Sequence, residues 1–260
     1  MEFSIKKHRG GYIDFTFFGK RYIGIFHKDK IVFFNDAEQN YGKEFMQIYD
    51  KSRKYTLTMI ERMHSLYSAI HYIHEAGIKG DVVECGVWKG GSMMVAALTL
   101  QQLNKERNLW LYDTFNGSPM PSDLDIKTND KTSFLEEWKK NQREDHNDML
   151  FVTLREVKEN MHSTGYPKNK INYVVGKVED TLLRHKPQKI ALLRLDTDFY
   201  TSTIANLIHL FPLISDGGVI IIDDYNGVVG CKKAVDEYLR HYWKPVMLHR
   251  IDNYGVIFIK

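Results

Sequence analysis

Two short apolar runs in this chain each end on aspartates. Ile190-Ala191-Leu192-Leu193-Arg194-Leu195 runs into Asp196-Thr197-Asp198, and Gly218-Val219-Ile220-Ile221-Ile222 runs into Asp223-Asp224. Apolar runs without alternation read as strands of a parallel sheet covered on both faces. In open α/β sheets, ligands sit just outside the carboxyl ends of such strands. Carboxylates converging there repel one another unless a proton or a cation separates them. Asp196 and Asp198 share a face if their segment stays extended, because side chains repeat every two residues. The pattern predicts a divalent metal on oxygen ligands at an active-site rim, with turn-forming aspartates as the competing reading. Mg²⁺ suits an all-oxygen shell. Zinc does not, since no Cys or His lies nearby at ligand spacing.

A second candidate lies upstream, where an apolar run passes through Glu84-Cys85-Gly86-Val87-Trp88-Lys89-Gly90-Gly91-Ser92. Gly86 permits a sharp turn and a close backbone approach. Gly90-Gly91-Ser92 opens a helix whose N–H groups can receive an anion. With Glu84 to accept from an ammonium group, the loop suits a zwitterionic amino-acid moiety, or else is a purely structural turn. It matches neither the dinucleotide fingerprint nor the Walker A loop. Asp113 ends the run Leu109-Trp110-Leu111-Tyr112, where an acid grips ribose hydroxyls in nucleoside-binding folds or serves as a simple cap. Gly176-Lys177-Val178-Glu179-Asp180 turns into a helix and either borders an adenine ring or merely caps it. His64, His71 and His74 fall on one helix and read as surface or core positions.

The elements that must position these residues follow from the pattern. Strands fit at 81–86, 109–113, 171–175, 190–196 and 217–223, and helices at 91–104, 147–162, 177–184, 201–210 and 230–241. This alternation implies an α/β fold with a doubly wound parallel sheet. Residues 245–249 and 254–259 read as a closing antiparallel pair, residues 56–76 as an amphipathic helix, and Gly117 to about Asp130 as an active-site loop. Residues 11–35 form β-rich runs broken by turns, read as two hairpins. Such a ribbon needs a partner surface, so residues 1–50 are expected to act as a lid or assembly element on a main domain of 51–260, with a homodimer as the expected assembly.

A chain of 260 residues buries a full core. Its formal net charge of +3, without a Lys/Arg block, gives no case for a nucleic-acid partner. No apolar stretch reaches membrane-spanning length, and the start lacks a signal-peptide core. With only Cys85 and Cys231, a reducing, cytoplasmic setting is expected. Cys85 reads as a buried thiol.

Longer stretches carry a resemblance. Tyr55-Thr56-Leu57-Thr58-Met59, the run from Gly80 to Ser92, Tyr112-Asp113-Thr114-Phe115-Asn116-Gly117, Thr164-Gly165-Tyr166-Pro167, the run from Leu192 to Thr203, Gly217 through Tyr225, and Gly230 to Tyr238 together resemble the macrocin O-methyltransferase family. These are metal-dependent sugar O-methyltransferases of macrolide and aminocoumarin tailoring. The resemblance runs from about residue 55 to the end. It implies a Rossmann-like class I methyltransferase sheet and S-adenosylmethionine as methyl donor. Glu84, Gly86 and Ser92 would then hold the methionine end, Asp113 the ribose, and the Val178-Glu179 turn the adenine. Asp196, Asp223 and Asp224 would hold Mg²⁺ or another divalent metal, and Asp198 would be the general base. The acceptor so implied is a sugar hydroxyl, and metal-assisted attack suits so weak a nucleophile.

Three positions depart from the family pattern. Leu57 stands where Met is usual, Asn116-Gly117-Ser118-Pro119 replaces Glu-Gly-Met-Pro, and Asn226-Gly227-Val228-Val229 follows Tyr225 where an aromatic is usual. The last two lie in substrate-facing loops, so the expected acceptor is a sugar of a bacterial surface polysaccharide, nucleotide-linked when methylated. Two other readings compete: a catechol or phenolic O-methyltransferase, and a non-catalytic S-adenosylmethionine-binding partner subunit.

Overall fold

The structure, a computed structural model, describes residues 40–260 and, ahead of them, the backbone of four strands. These are β1 (Phe3–Lys7), β2 (Tyr12–Phe17), β3 (Lys20–His27) and β4 (Lys30–Phe33), paired antiparallel in sequence order. The two expected hairpins are β2–β3 and β3–β4. β1 is additional, and the alternation of Phe3 and Ile5 with Ser4 and Lys6 is the signal that marks it. The connecting turns, with Phe18, Gly19 and Phe34, lie outside the described residues, and so does most of what bears on the role expected of residues 1–50.

Helix α1 (Lys43–Ser52) buries Phe45, Met46, Ile48 and Tyr49 on one side, an i, i+1, i+3, i+4 stripe that sequence reading passed over. Helix α2 (Ile60–Glu75) starts later than residue 56, because Thr56 and Met59 are extended. Its buried stripe is Ile60, Met63, Leu66, Ile70 and Ile73; Leu57, which the sequence places on the same stripe, lies before the helix and is exposed, and Tyr67 is half-buried.

The main sheet has seven strands. β5 (Asp81–Cys85), β6 (Leu109–Asp113), β7 (Ile171–Val175), β8 (Ile190–Leu195) and β9 (Ile214–Ile222) are mutually parallel. β10 (His249–Arg250) and β11 (Val256–Ile259) close it, in the order β10-β11-β9-β8-β5-β6-β7. β11 runs antiparallel to β9, as the expected closing pair requires, but β10 has only two residues. Pro245 offers no amide to a ladder and Met247 stands exposed, so 245–248 adds no ladder to the sheet, although Val246 and Leu248 pack against its core.

Helices cover both faces. α3 (Gly91–Gln102) and α5 (Leu154–His162) join α1 and α2 around Val82, Leu192, Val219 and Ile221. α7 (Tyr200–Leu210) and α8 (Val229–Arg240), with the single turn α6 (Val178–Thr181), pack on Val83, Leu193, Leu195 and Ile220. Every residue of β8 is buried, and each fully buried Leu or Ile contributes roughly 1.5–3 kcal/mol. α5 begins at Leu154 and not at 147, because Leu150 is left-handed (φ 54°) and Thr153 caps the helix by accepting from Glu156 N at 3.3 Å. α4 (Phe134–Asn141) was not expected. Its apolar side, Phe134, Leu135 and Trp138, is short and only half-buried.

The chain steps outward from β5 to β6 and β7, then returns to the other side of β5 with β8 and β9. The reversal between β5 and β8 is the switch point at which such sheets bind ligands.

Candidate active site

Strand register brings the predicted residues side by side. Glu84 pairs with Arg194, Cys85 with Leu195, and Leu195 with Ile222. Beyond the strand ends, Asp196 N donates to Cys85 O (2.8 Å), Asp223 N to Leu195 O (2.9 Å), and Gly86 N to Tyr112 O (2.8 Å). Gly86, Asp113, Asp196 and Asp223 therefore border one cavity of about 310 Å³ at the carboxyl edge.

On the β5 side, Gly86 is left-handed (φ 83°), and a Cβ there would lie 1.9 Å from Asp196 O. The loop after β5 can cross the end of β8 only without a side chain. Gly86→Ala is expected to weaken S-adenosylmethionine binding at least about tenfold and to lower the melting temperature. Titration calorimetry reads the first effect, and unchanged affinity would remove the loop from the donor site.

Asp113 uses its carboxylate on three backbone amides, those of Val87 (2.9 Å), Trp88 (3.0 Å) and Phe115 (2.9 Å). It thus ties the loop after β5 to the loop after β6. Burial raises its carboxyl above the usual range against the pull of those amides. The Thr114 hydroxyl is a weak fourth donor to Asp113 Oδ1 at 3.4 Å, since it donates better to Gly117 O at 2.6 Å, so a ribose hydroxyl could take that site.

Glu84 lies behind the cavity wall, fully buried. Its Oε1 accepts from Ser92 Oγ and from the Arg194 guanidinium, while Oε2 is buried with no partner. Ser92 is on the wall itself. Val178 and Glu179 line the same cavity at the start of α6, and Glu179 Oε2 is also buried and unpaired.

On the β8–β9 side, one carboxylate oxygen each of Asp196, Asp198 and Asp224 lies within 4.8 Å of the others. Asp223 faces elsewhere. Its Oδ1 accepts from Arg194, and its Oδ2 accepts from Arg62, which also donates to Asp252 Oδ2 at 2.8 Å. Arg194 further donates to Asp196 Oδ2 (2.7 Å) and Thr58 Oγ1 (2.9 Å). Buried charges must be paired, and these two arginines do that for four acids.

Sequence reading missed both arginines. The signal was a lone cation inside an apolar strand run, two residues before an aspartate. Asp198 is left-handed (φ 58°), which Asp tolerates better than most residues. Its carboxyl is pushed up to about 7, first by burial and then by Asp196, Asp223 and Asp125. Asp196 and Asp224 are also raised, first by burial, then by the charges of Asp223 and Asp224 on Asp196 and of Asp198 and Asp223 on Asp224, with Arg194 and Arg62 respectively opposing the shift. Asp224 Oδ2 is buried and unpartnered. These oxygens form a donor set that suits a hard cation.

The loop expected at the active site begins at Gly117 (φ 83°), where a Cβ would lie 1.8 Å from Asn147 O. Ser118 N donates to Met149 O (2.8 Å), and Trp138 Nε1 on α4 donates to Ser118 O (2.9 Å). Farther along, Thr128 N donates to Gly227 O (3.0 Å) and Val229 N to Ile126 O (2.9 Å). The two loops that depart from the family pattern therefore meet directly. Phe134 lines the cavity with its ring against Phe199, centroids 5.5 Å apart. The histidines lie away from the cavity. His64 stacks among Tyr41, Phe45 and Tyr67, and burial lowers its pKa.

A sheet of this order, with one antiparallel strand before its last and a glycine loop facing an acid-ended neighbour, is the scaffold of class I methyltransferases. The chain belongs to the macrocin O-methyltransferase family: the family described as Macrocin-O-methyltransferase (TylF) matches residues 25–260. It is an S-adenosylmethionine-dependent O-methyltransferase.

Two similar proteins come from Streptomyces. One, 8-demethyl-8-(2,3-dimethoxy-alpha-L-rhamnosyl)-tetracenomycin-C 4'-O-methyltransferase of Streptomyces olivaceus, is 32% identical over 203 residues, 78% of this chain and 74% of that protein. Demethyldecarbamoylnovobiocin O-methyltransferase of Streptomyces niveus is 29% identical over 231 residues, 88% and 82% of the two chains. The solved O-methyltransferase NovP superposes with a TM-score of 0.70 at 27% identity, covering 82% of this chain and 87% of its own. Among the described residues no helix is long and apolar enough to cross a membrane.

Proposed function

We propose that the chain transfers a methyl group from S-adenosylmethionine to a sugar hydroxyl, with a divalent cation held at the acidic rim. The observation that carries this reading is the convergence of Asp196, Asp198 and Asp224 beside the Gly86 loop. Gly86, Ser92, Asp113 and the Val178-Glu179 turn bind and orient the donor. Asp196 and Asp224 hold the cation, each with a carboxylate oxygen turned to the cluster. Asp223 would join them only by releasing an arginine, and as placed it orients Arg194 and Arg62. When bound, the cation (Mg²⁺ by the oxygen donor set) stabilises negative charge developing on the acceptor oxygen. Asp198, poised near neutrality, takes the hydroxyl proton as that oxygen attacks the sulfonium methyl. Phe134 and Phe199 exclude water from the acceptor side.

The acceptor we favour is a nucleotide-linked sugar destined for a bacterial surface polysaccharide, methylated in the cytoplasm by a homodimer. A relative named for methylating a rhamnosyl-bearing compound supports a sugar hydroxyl, and the departures at 116–119 and 226–229 support an acceptor different from that one. The test is conversion of S-adenosylmethionine to S-adenosylhomocysteine against nucleotide-linked sugars, free sugars and catechols, each with Mg²⁺ or EDTA. Mg²⁺-dependent turnover on a nucleotide sugar is the expected result. Turnover on catechols alone would replace the sugar, and donor binding without turnover anywhere would favour a non-catalytic subunit.

Metal binding has a stability signature that needs no acceptor. Acids whose folded pKa is raised hold more protons folded than unfolded, so stability falls as pH rises through the raised pKa, for Asp198 from about 4 to about 7. A cation relieves the repulsion only once the protons have left. Excess Mg²⁺ over EDTA is expected to raise the melting temperature by about 3–6 °C at pH 8 and under about 1 °C at pH 6. Equal shifts at both values would place the cation elsewhere.

A further inference from the structure

We propose that Asp125 is a positioning residue that latches the acceptor loop onto the helices following the two acidic strand ends. Its side chain is wholly buried, and among the described residues no Lys or Arg pairs with it. Its Oδ1 accepts from Tyr200 N at 2.8 Å, and its Oδ2 from Ser122 N and Ser122 Oγ, each at 2.7 Å.

Tyr200 is the first residue of α7, an 11-residue helix whose own N-cap residue is Phe199, with no side chain able to accept. The helix that continues the Asp198 turn is therefore capped by a carboxylate from 75 residues away. The positive end of the helix and three donors offset the burial of that charge. Room for it comes from α8, where a Cβ on Gly230 would lie 2.0 Å from Asp125 Oδ1. The backbone of Asp125 extends the hold, since its carbonyl accepts from Phe134 N at 3.0 Å and the Phe134 ring rests on Phe199. Loop, α4, α7 and α8 thus meet at one residue, and the closed loop and the fixed Asp198 turn are one state.

The latch stands on geometry, and only its kinetic consequence rests on the methyltransferase reading. The test compares hydrogen exchange and kinetics in the full chain for Asp125→Ala and Ser122→Ala. In Asp125→Ala, exchange is expected to rise at least about tenfold in 118–133 and 199–202 and nowhere else. Ser122→Ala, which removes one donor, should loosen only 118–133. S-adenosylmethionine affinity by calorimetry should stay within about threefold, while kcat with the best acceptor of the panel falls about thirtyfold or more and the acceptor KM rises.

Unchanged exchange in both segments of Asp125→Ala would overturn the latch. So would a uniform rise across the whole chain with Ser122→Ala indistinguishable from the parent. If the parent turned over no acceptor, the functional reading would fall while the exchange result still decided the latch.

Discussion

Asp198→Asn is expected to bind S-adenosylmethionine as the parent does and to transfer its methyl group about 10²–10⁴-fold more slowly. The substitution keeps size and shape, and Asn adopts the left-handed backbone that this position requires (φ 58°). What it removes is a half-buried carboxylate whose pKa, pushed up to about 7, matches a base working at neutral pH. Calorimetry for the donor and single-turnover transfer to the acceptor separate binding from chemistry. A rate within tenfold of the parent would assign the proton to another group, and Asp224 is the nearest candidate.

The second large effect falls on stability. Arg194→Leu is expected to destabilise the fold by about 3–5 kcal/mol, a fall of roughly 6–20 °C in melting temperature. Arg194 is 2% exposed and holds Glu84, Asp196 and Asp223 together from the middle of the sheet. Leucine fills much of the volume but leaves a fully buried Glu84 with no cation. Arg194→Lys is expected to recover only part of the loss, because a single ammonium cannot fork to three acids. The deficit should shrink in acid, since the orphaned carboxylates then hold protons when folded and stability falls as pH rises. Thermal melts at pH 5 and pH 8 read both effects. A variant melting within about 2 °C of the parent at pH 8 would show the network to be dispensable.

The central strands β5, β8 and β9 were legible because nearly every residue in them is buried and no competing pattern interrupts them. The aspartates that end them were legible for the same reason: a charge at the end of a buried run must face a cavity or solvent. Asp196, Asp198 and Asp224 converge as that logic requires. Asp223 shows its limit, since strand spacing says which edge a residue occupies but not which partner claims it. Arg62 arrives from a helix 161 residues distant, and no local pattern announces it. Asp125 was hidden for a similar reason, being one of several acids in a loop until the fold supplies a helix end for it to cap. α4 escaped notice because its apolar face is three residues long within eight, and α1 because its four buried apolar side chains sit among charged neighbours over only ten residues.

The contact between Gly86 and the carbonyl of Asp196 has an engineering consequence. The loop after β5 and the acidic turn share a backbone junction at the sheet edge, so on the proposed mechanism the spacing between methyl group and base is set by backbone and not by side chains. The surfaces facing the acceptor, residues 117–133 and 225–229, hang instead from one another through turns and side-chain bonds. Redrawing those two loops together, with Asp125 and Gly230 kept as their fastening, is the route by which this scaffold can be given a new acceptor without disturbing its transfer chemistry.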